Sequence, residues 1–477
     1  ILWQEEQTEA EKINNDYQPD LSKLRESGNQ DDVYMRVQNF ELAIKYREKL
    51  LNSLRRKRYK EIEKITSFDA LGRCYEKLQR YQQASACFII GMNLITEIYG
   101  EVHPHVATSY THLGLVLEKL GLYQQAGEYL AGALEIRKII YGEKDLNTAH
   151  SYANLAGVCL SLGDHQLALE YFITALNIRM FISGGKNHPD VALSYNQLGS
   201  YYCRLGQFHE ALLYFFKARD VREAIYGERH PETVTSYNNI AEVHQNLGEY
   251  KKALEPYVKA IELNKSMHGE KNPYTALSYQ NLASLYNNLG EYQRSYEYHM
   301  TALTIFKTLF EETHPYVFIS YNNLASLYKN LKNYEKAQEY SLKALDIAKV
   351  RFGEKHPDTA TSYGNLAGVY ASLEKYELAL EYHHQALNIR KVVFGERHRD
   401  IAISYNNLGL LYKNLREYEL ALEYHQTGIE MMRALYGEQH PHLATFYENL
   451  AAVYKSLRRY QQEEEYMKKA QEIRKAI

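Results

Sequence analysis

The chain has 477 residues, of which 45% are hydrophobic, so it can bury a large core. Lysine and arginine number 56 against 59 acidic residues, and the net charge of −3 lacks the basic excess that nucleic-acid-binding proteins usually show. No run of 18 apolar residues occurs, so no membrane span is expected.

The N-terminal part is the least regular. Residues 1–30 are polar and mixed, with no heptad pattern, and we expect a lead-in or cap. Residues 31–64 are interpreted as a degenerate repeat, because the segment from Phe40 to Leu51 reads like the one that begins at Tyr81. The basic run between Arg55 and Lys60 is compatible with a nuclear-localisation signal. The preferred interpretation is a group of cations at a helix C-terminus that face water.

From residue 65 to residue 477 the chain repeats one unit of 42 residues ten times. One tyrosine marks the register, and every step is 42 residues except a single step of 43. It stands at Tyr110, Tyr152, Tyr195, Tyr237, Tyr279, Tyr321, Tyr363, Tyr405 and Tyr447, and Phe68 holds the place in the first unit. A stacked array is one continuous body, so the repeat overrides the three domains that length alone would suggest.

Each unit predicts two α-helices. In the unit from His356 to Glu396, apolar residues three and four apart form one stripe before the turn at Glu374 and a second stripe after it. The short link makes the helices antiparallel, and a lone pair leaves apolar surface uncovered, so units must stack. The fold class is therefore all-α, a solenoid of stacked helix pairs.

Two recurring loop signals separate the helices. A glycine follows most second helices, as a helix C-cap does, and His-Pro then opens the next first helix. The loop histidines are expected to cap or pack rather than to bind metal, because packed helices are about 8–10 Å apart. Ligands must lie roughly 2 Å from a common ion, which stacked loops cannot supply.

Segments such as ISYNNLGLLYKNLREYELALEYH resemble tetratricopeptide repeats of the long, 42-residue kind found in kinesin light chains. The resemblance covers roughly Phe40 to Ile477. It implies a right-handed superhelix of about ten to eleven repeats whose concave groove binds peptides or protein surfaces. The heptad coiled coil that precedes the repeats of kinesin light chains is not visible here, and kinesin light chains have fewer repeats.

A polar stripe beside the core of each first helix is the candidate binding surface. Asparagine precedes the core leucine, or isoleucine in one unit, in seven units: Asn154, Asn239, Asn281, Asn323, Asn365, Asn407 and Asn449. Seven residues later, on the same helix face, stands a second polar set that includes Arg204, Asn246, Asn288, Asn330 and Asn414, with Lys329 and Lys413 close by. The resemblance implies that such asparagines hydrogen-bond the main chain of a ligand, although they could instead tie neighbouring helices together, or do both.

No phosphate loop, GxSxG or HExxH motif occurs, and the four cysteines lack CxxC spacing. We therefore expect no enzyme, cofactor, metal, small-molecule substrate or nucleic acid, and reduced cysteines in the cytoplasm. The sequence predicts a scaffold that binds a partner peptide or protein surface. The alternative is the sensor arm of a larger signalling protein whose caspase-like peptidase or NTPase domain lies outside this chain.

Overall fold

A computed structural model describes residues 61–77, 80–438 and 440–476. Over these ranges the chain forms twenty α-helices and no β-strand. The predicted lead-in at 1–30, all but the last four residues of the predicted degenerate repeat at 31–64, and the basic run lie outside the described residues.

The helices form ten consecutive pairs, each with an odd-numbered first helix and an even-numbered second helix. In chain order they are α1 Glu61–Lys77, α2 Tyr81–Tyr99, α3 Pro104–Lys119, α4 Tyr123–Tyr141, α5 Leu146–Leu162, α6 His165–Ser183, α7 Pro189–Arg204, α8 Phe208–Tyr226, α9 Pro231–Asn246, α10 Tyr250–His268, α11 Pro273–Asn288, α12 Tyr292–Leu309, α13 Pro315–Asn330, α14 Tyr334–Phe352, α15 Pro357–Ser372, α16 Tyr376–Phe394, α17 Arg399–Asn414, α18 Tyr418–Tyr436, α19 Pro441–Ser456 and α20 Tyr460–Ala476.

The core runs through the array between the two helices of each pair. Leu324, Leu366 and Leu408, one repeat apart, are each fully buried. Each helix packs most closely on its pair mate, and each second helix packs next most closely on the first helix of the following pair, as in a solenoid. First helices of neighbouring pairs also contact one another, which places them on the inner side of the curve. The predicted all-α class and solenoid architecture are confirmed.

The loop histidines cap helices. His314 Nδ1 accepts a hydrogen bond from the backbone N–H of Tyr316 at 3.2 Å, and its ring stacks on Phe310 with centroids 3.9 Å apart. The same cap is made by His103, His188, His230, His356, His398 and His440. This satisfies a backbone donor that a helix start leaves unpaired. The predicted role of these histidines in capping and packing is confirmed.

In several pairs a buried polar side chain of the second helix forms a hydrogen bond with the next pair. Arg390 Nη1 of α16 donates to Ser404 Oγ of α17 at 2.6 Å, and Arg179 of α6 bonds Ser194 of α7 at the same distance. Burial lowers the pKa of both guanidinium groups, and the carboxylates of Asp400 and Asp190, respectively, partly offset that effect. These ties fix the register of one pair on the next.

The array coils far enough for successive superhelical turns to touch along a seam. The ring of Tyr123 in pair 2 stacks on Phe394 in pair 8, with centroids 5.9 Å apart. His440 Nε2, at the start of pair 10, lies 3.3 Å from the backbone carbonyl of Arg204 in pair 4. Both contacts join pairs that are six apart along the array, so one turn closes over about that number of pairs.

Two helices depart from the repeat pattern. Helix α10 continues unbroken through Pro256, so the proline does not end it, although we expect its missing N–H to kink the helix. In α20, Glu463 stands where the other second helices have a small residue, which is serine at Ser295 and alanine elsewhere. Its side chain is 23% exposed and lies 3.6 Å from Lys455 Nζ, so this carboxylate is neither enclosed nor unpaired.

Candidate functional site

The asparagine stripe forms part of a ladder between first helices. Asn365 Nδ2 of α15 donates to Asn322 Oδ1 of α13 at 3.0 Å. Two more rungs of the same kind join Asn239 to Asn196 at 2.7 Å and Asn449 to Asn406 at 3.2 Å. In the second polar set, Asn330 Nδ2 donates to Asn287 Oδ1 at 3.0 Å. Each tie joins neighbouring repeats, so these amides hold helices together.

The remaining asparagines of the stripe make no side-chain hydrogen bond within the described residues. They are Asn154, Asn246, Asn281, Asn288, Asn323, Asn407 and Asn414. All are half-buried or exposed, so their amides reach the inner surface of the array. An unpaired amide offers two donors and one acceptor to a ligand. The stripe therefore divides into structural ties and open hydrogen-bonding groups.

Four of the predicted residues line one groove, of about 490 Å³, across α13, α15 and α17: Lys329, Asn365, Asn407 and Asn414. Hydroxyls of Ser326 and Ser372 add polar surface, and Val369 and Leu410 add apolar surface. Three successive first helices supply most of the lining, so the groove runs along the inside of the curve. This mixture suits an extended polypeptide, which presents both polar main chain and side chains.

Lys329 is the one lysine or arginine among the described residues that line the groove. Loss of surrounding water lowers the pKa of the Lys329 ammonium. Burial lowers the pKa of His383, which lines the same groove, to about 4, and the positive charges of Arg390 and Lys329 add to the effect. The imidazole of His383 is therefore neutral at pH 7, and positive charge reaches the groove from Lys329 in its lining and from Arg390 beside Gly364.

The other two predicted cationic residues lie elsewhere. Arg204 borders a separate cavity of about 290 Å³ at the seam, together with Tyr123, His398 and Tyr436. Lys413 is half-buried at the end of α17 and contributes to the positive field around His425. Neither residue lines the groove that contains Lys329.

The sequence-based prediction missed groove residues that have small or absent side chains, and three of them are in α14 and α15. Gly364 and Gly368 of α15 and Ser341 of α14 line the groove, and Ser341 is only 1% exposed. A search for polar or charged side chains passes over such positions. The available signal was the repeat itself, because each of these residues is smaller than its counterparts in the two neighbouring pairs.

None of the helices in the described ranges combines the length and the apolar character that crossing a membrane requires. Within the same ranges, no group of three or more histidine, cysteine, aspartate or glutamate side chains is arranged to hold a metal ion.

Several solved structures are similar to this chain. BtubC (BKLC) from P. vanneervenii is 25% identical, covering 49% of this chain and 91% of its own, with a TM-score of 0.38. A putative kinesin light chain from Podosopora anserina, with nearly identical TPR-like repeats, is 22% identical over 43% of this chain and 97% of its own, with a TM-score of 0.36.

A Rap protein complexed with Competence and Sporulation Factor is 13% identical, and the alignment covers 78% of this chain and 99% of the Rap chain. Its TM-score of 0.52 shows that the two chains share the fold. A comparison with curated protein sequences gave no match.

The tetratricopeptide-repeat family model matches this chain in eight overlapping segments: 63–126, 105–180, 156–223, 190–266, 274–349, 316–391, 358–433 and 400–476. These matches span nearly all of the described helices and agree with the repeat unit that the tyrosines mark. The chain belongs to the tetratricopeptide-repeat family.

Proposed function

We propose that the chain is a non-catalytic scaffold whose concave face binds an extended segment of a partner protein. The observation that carries the proposal is the groove in which Lys329, Asn365, Asn407 and Asn414 lie together. Asparagine amides can bond both the N–H and the C=O groups of a peptide main chain, whatever its sequence. The complex of a Rap protein with Competence and Sporulation Factor supports the proposal, because that protein has the same fold.

The asparagines have a dual role in this proposal. Asn365 Nδ2 donates a hydrogen bond to Asn322 Oδ1 and so helps to join two first helices. Within the described residues, the side-chain oxygen Oδ1 of Asn365 accepts no hydrogen bond, and the side-chain amides of Asn407 and Asn414 have no partner. A ligand segment that lies along the groove would therefore meet open donors and acceptors without breaking the ties between repeats.

The test begins with peptides selected on the purified chain from a random library of twelve-residue peptides. The affinity of a selected peptide is then measured by fluorescence anisotropy for wild type and for Asn407→Ala with Asn414→Ala. Each lost hydrogen bond should cost about 0.5–1.5 kcal/mol, so the double variant should bind roughly tenfold more weakly.

The matched control is Asn177→Ala with Asn388→Ala. Both residues are exposed asparagines on second helices, α6 and α16, away from the groove. Wild-type affinity is expected for this control. Equal affinities for all three proteins, or the failure of the chain to select any peptide, would contradict the proposed function.

A further inference from the structure

The cavity at the seam lies between two superhelical turns, away from the concave groove. Its volume of about 290 Å³ leaves room for a small molecule. One wall comes from pairs 2 to 4 and contains Tyr123, Gly163 and Arg204. The other wall comes from pair 9 and contains Arg399, at the start of α17, and Tyr436, at the end of α18. A molecule bound here would therefore contact both turns.

Both arginines of this cavity depart from the repeat pattern. Arg204 ends its first helix at a position where the other nine pairs have asparagine, serine or lysine. Arg399 begins its first helix at a position where seven of the other nine pairs have proline and two have an aliphatic residue. Departures from a consistent pattern are expected at functional sites, and these two meet in one cavity although they are nearly 200 residues apart.

The two guanidinium groups have unused hydrogen-bond donors. The side chain of Arg204 makes no hydrogen bond or ion pair with any described residue. Within the same part of the chain, Arg399 makes only a long ion pair, with 3.7 Å between its Nε and Oδ1 of the adjacent Asp400. A guanidinium group presents five N–H donors in a planar fork that matches the oxygens of an anion.

Neutral donors also line the cavity. His398 Nδ1 accepts a hydrogen bond from the backbone N–H of Asp400 at 3.1 Å, and burial lowers the pKa of this imidazole to about 4. The neutral ring therefore carries its proton on Nε2. Burial raises the pKa of the Tyr123 hydroxyl to about 12 and also raises that of Tyr436, so both stay protonated at pH 7. None of these three donors has a partner among the described residues.

Positive charge exceeds negative charge in the cavity. Asp400 is the one acid among the described residues that line it, against Arg204 and Arg399. After burial, these three charges are what shift the pKa of His398: Asp400 raises it, and both arginines lower it. Both guanidinium groups therefore lie near the same ring, although they belong to different turns. Like charges held close together in a partly dry space repel each other unless an anion binds beside them.

We propose that the seam cavity binds the phosphate group of a small molecule and that this anion joins the two turns. Arg204 binds it from one turn and Arg399 from the other. The hydroxyls of Tyr123 and Tyr436 and the Nε2–H of His398 supply further hydrogen bonds. A phosphate group has three strong acceptor oxygens, enough for several donors at once, and pairs well with guanidinium groups. The carboxylate of Asp400 is the one group of the lining that repels the ligand.

The experiment is isothermal titration calorimetry with inorganic phosphate and, separately, with glycerol phosphate, at an ionic strength held constant with sodium chloride. The variants Arg204→Asn and Arg399→Pro introduce residues that the repeat itself uses at these positions. The matched control is Arg229→Asn, which removes an exposed arginine in the loop before α9, outside the cavity.

Both cavity variants should fold. Asparagine ends four of the other first helices at the position of Arg204. Proline suits the first position of a helix, and His398 already has the extended backbone that precedes proline, with φ −150° and ψ 149°. In chloride alone, melting temperatures close to that of wild type are therefore expected.

Wild type and Arg229→Asn should bind one phosphate group per chain. Each cavity variant should bind it at least roughly tenfold more weakly, because each loses a charge-assisted hydrogen bond. Phosphate should also raise the melting temperature of wild type more than that of either cavity variant, since a ligand stabilises the fold that binds it. Whichever of the two ligands binds more tightly shows whether the site takes free phosphate or a phosphate ester.

Two results would overturn the inference. One is the absence of saturable binding of either ligand to wild type, and the other is equal affinity in wild type and both cavity variants. Neither result bears on peptide binding in the groove, because the seam cavity and the groove have no lining residue in common.

Discussion

Asn407 follows Gly364 by 43 residues, the spacing at which one repeat earlier Asn365 Nδ2 donates to Asn322 Oδ1 across 3.0 Å, and within the described residues Asn407 has no side-chain acceptor. The two asparagines have the same register in consecutive first helices, so the difference lies in the residue opposite each of them. One amide stabilises the array, and the other is available to a ligand.

This difference predicts unequal effects of the same substitution. Asn365→Ala should lower the free energy of unfolding by about 0.5–1.5 kcal/mol, because it removes a hydrogen bond between repeats. Asn407→Ala should change it by less than about 0.5 kcal/mol, because no such bond is lost. Urea unfolding followed by circular dichroism measures both values, and equal losses would show that the ladder does not stabilise the array.

The repeat made most of the fold predictable from the sequence. Ten tyrosine or phenylalanine markers, two apolar stripes and the His-Pro loops were sufficient for the helix pairs, their order and their caps. The groove was predictable only in part. Residue types indicated Lys329 and the asparagines, but which amides pair depends on the residue opposite in the neighbouring repeat, as at Gly364.

The seam between turns could not be predicted, because its contacts join residues more than 230 positions apart, such as Arg204 and His440. Nothing in a local 42-residue pattern sets superhelical pitch, which accumulates from small rotations between many pairs. For the same reason, a sequence pattern alone could not separate Arg204, at the seam, from the residues of the groove.

The contacts at the seam predict that substitution of one glycine destabilises the fold more than substitution of another glycine with the same backbone conformation. Gly206 and Gly290 have φ values of +74° and +77°, and arginine occupies the equivalent turn at Arg416 with a φ of +64°. A Cβ at Gly206 would lie 2.3 Å from Pro441 Cδ, whereas one at Gly290 meets nothing within 4 Å. Gly206→Arg should therefore cost about 1–3 kcal/mol more than Gly290→Arg.

Thermal unfolding and small-angle X-ray scattering test this prediction together. The Gly206→Arg variant should melt at a lower temperature than Gly290→Arg and should have a larger radius of gyration, because the turns separate. Matching melting temperatures and radii for the two variants would mean that the seam does not hold the turns together in solution.

Buried histidines should make stability depend on pH. Burial lowers the pKa of His299 to about 4, well below the value of about 6.5 for an exposed imidazole. Between these values the unfolded chain binds a proton that the folded chain does not, so stability is full above about pH 6.5 and falls as the pH drops towards 4. Five further histidines have a pKa lowered to about 4: His314, His383, His398, His425 and His440.

The matched variant for the pH effect is His299→Phe, since phenylalanine holds this position in α2, α6 and α8. Urea unfolding at pH 7 and pH 4.5 should show a loss of stability that is smaller in the variant by roughly 1–3 kcal/mol. If the two proteins lose the same stability over this interval, His299 is not held neutral by burial.

Pro256 should weaken α10. It is the seventh residue of a helix that runs on to His268, and it cannot donate to the backbone carbonyl of Lys252. Pro256→Ala restores that hydrogen bond and removes the ring, which should raise the free energy of unfolding by roughly 2 kcal/mol after the greater flexibility of the unfolded chain is included. An unchanged or lower urea midpoint would show that the helix accommodates the proline without cost.

The most direct test of the binding face is photo-crosslinking of a selected peptide that carries a benzophenone side chain, followed by mass spectrometry of the crosslinked fragments. The account predicts crosslinks to the first helices α13, α15 and α17 around Lys329, Asn365 and Asn407, with loss of these crosslinks when unlabelled peptide competes. Specific crosslinks confined to the second helices would contradict the claim that the concave face binds the partner segment.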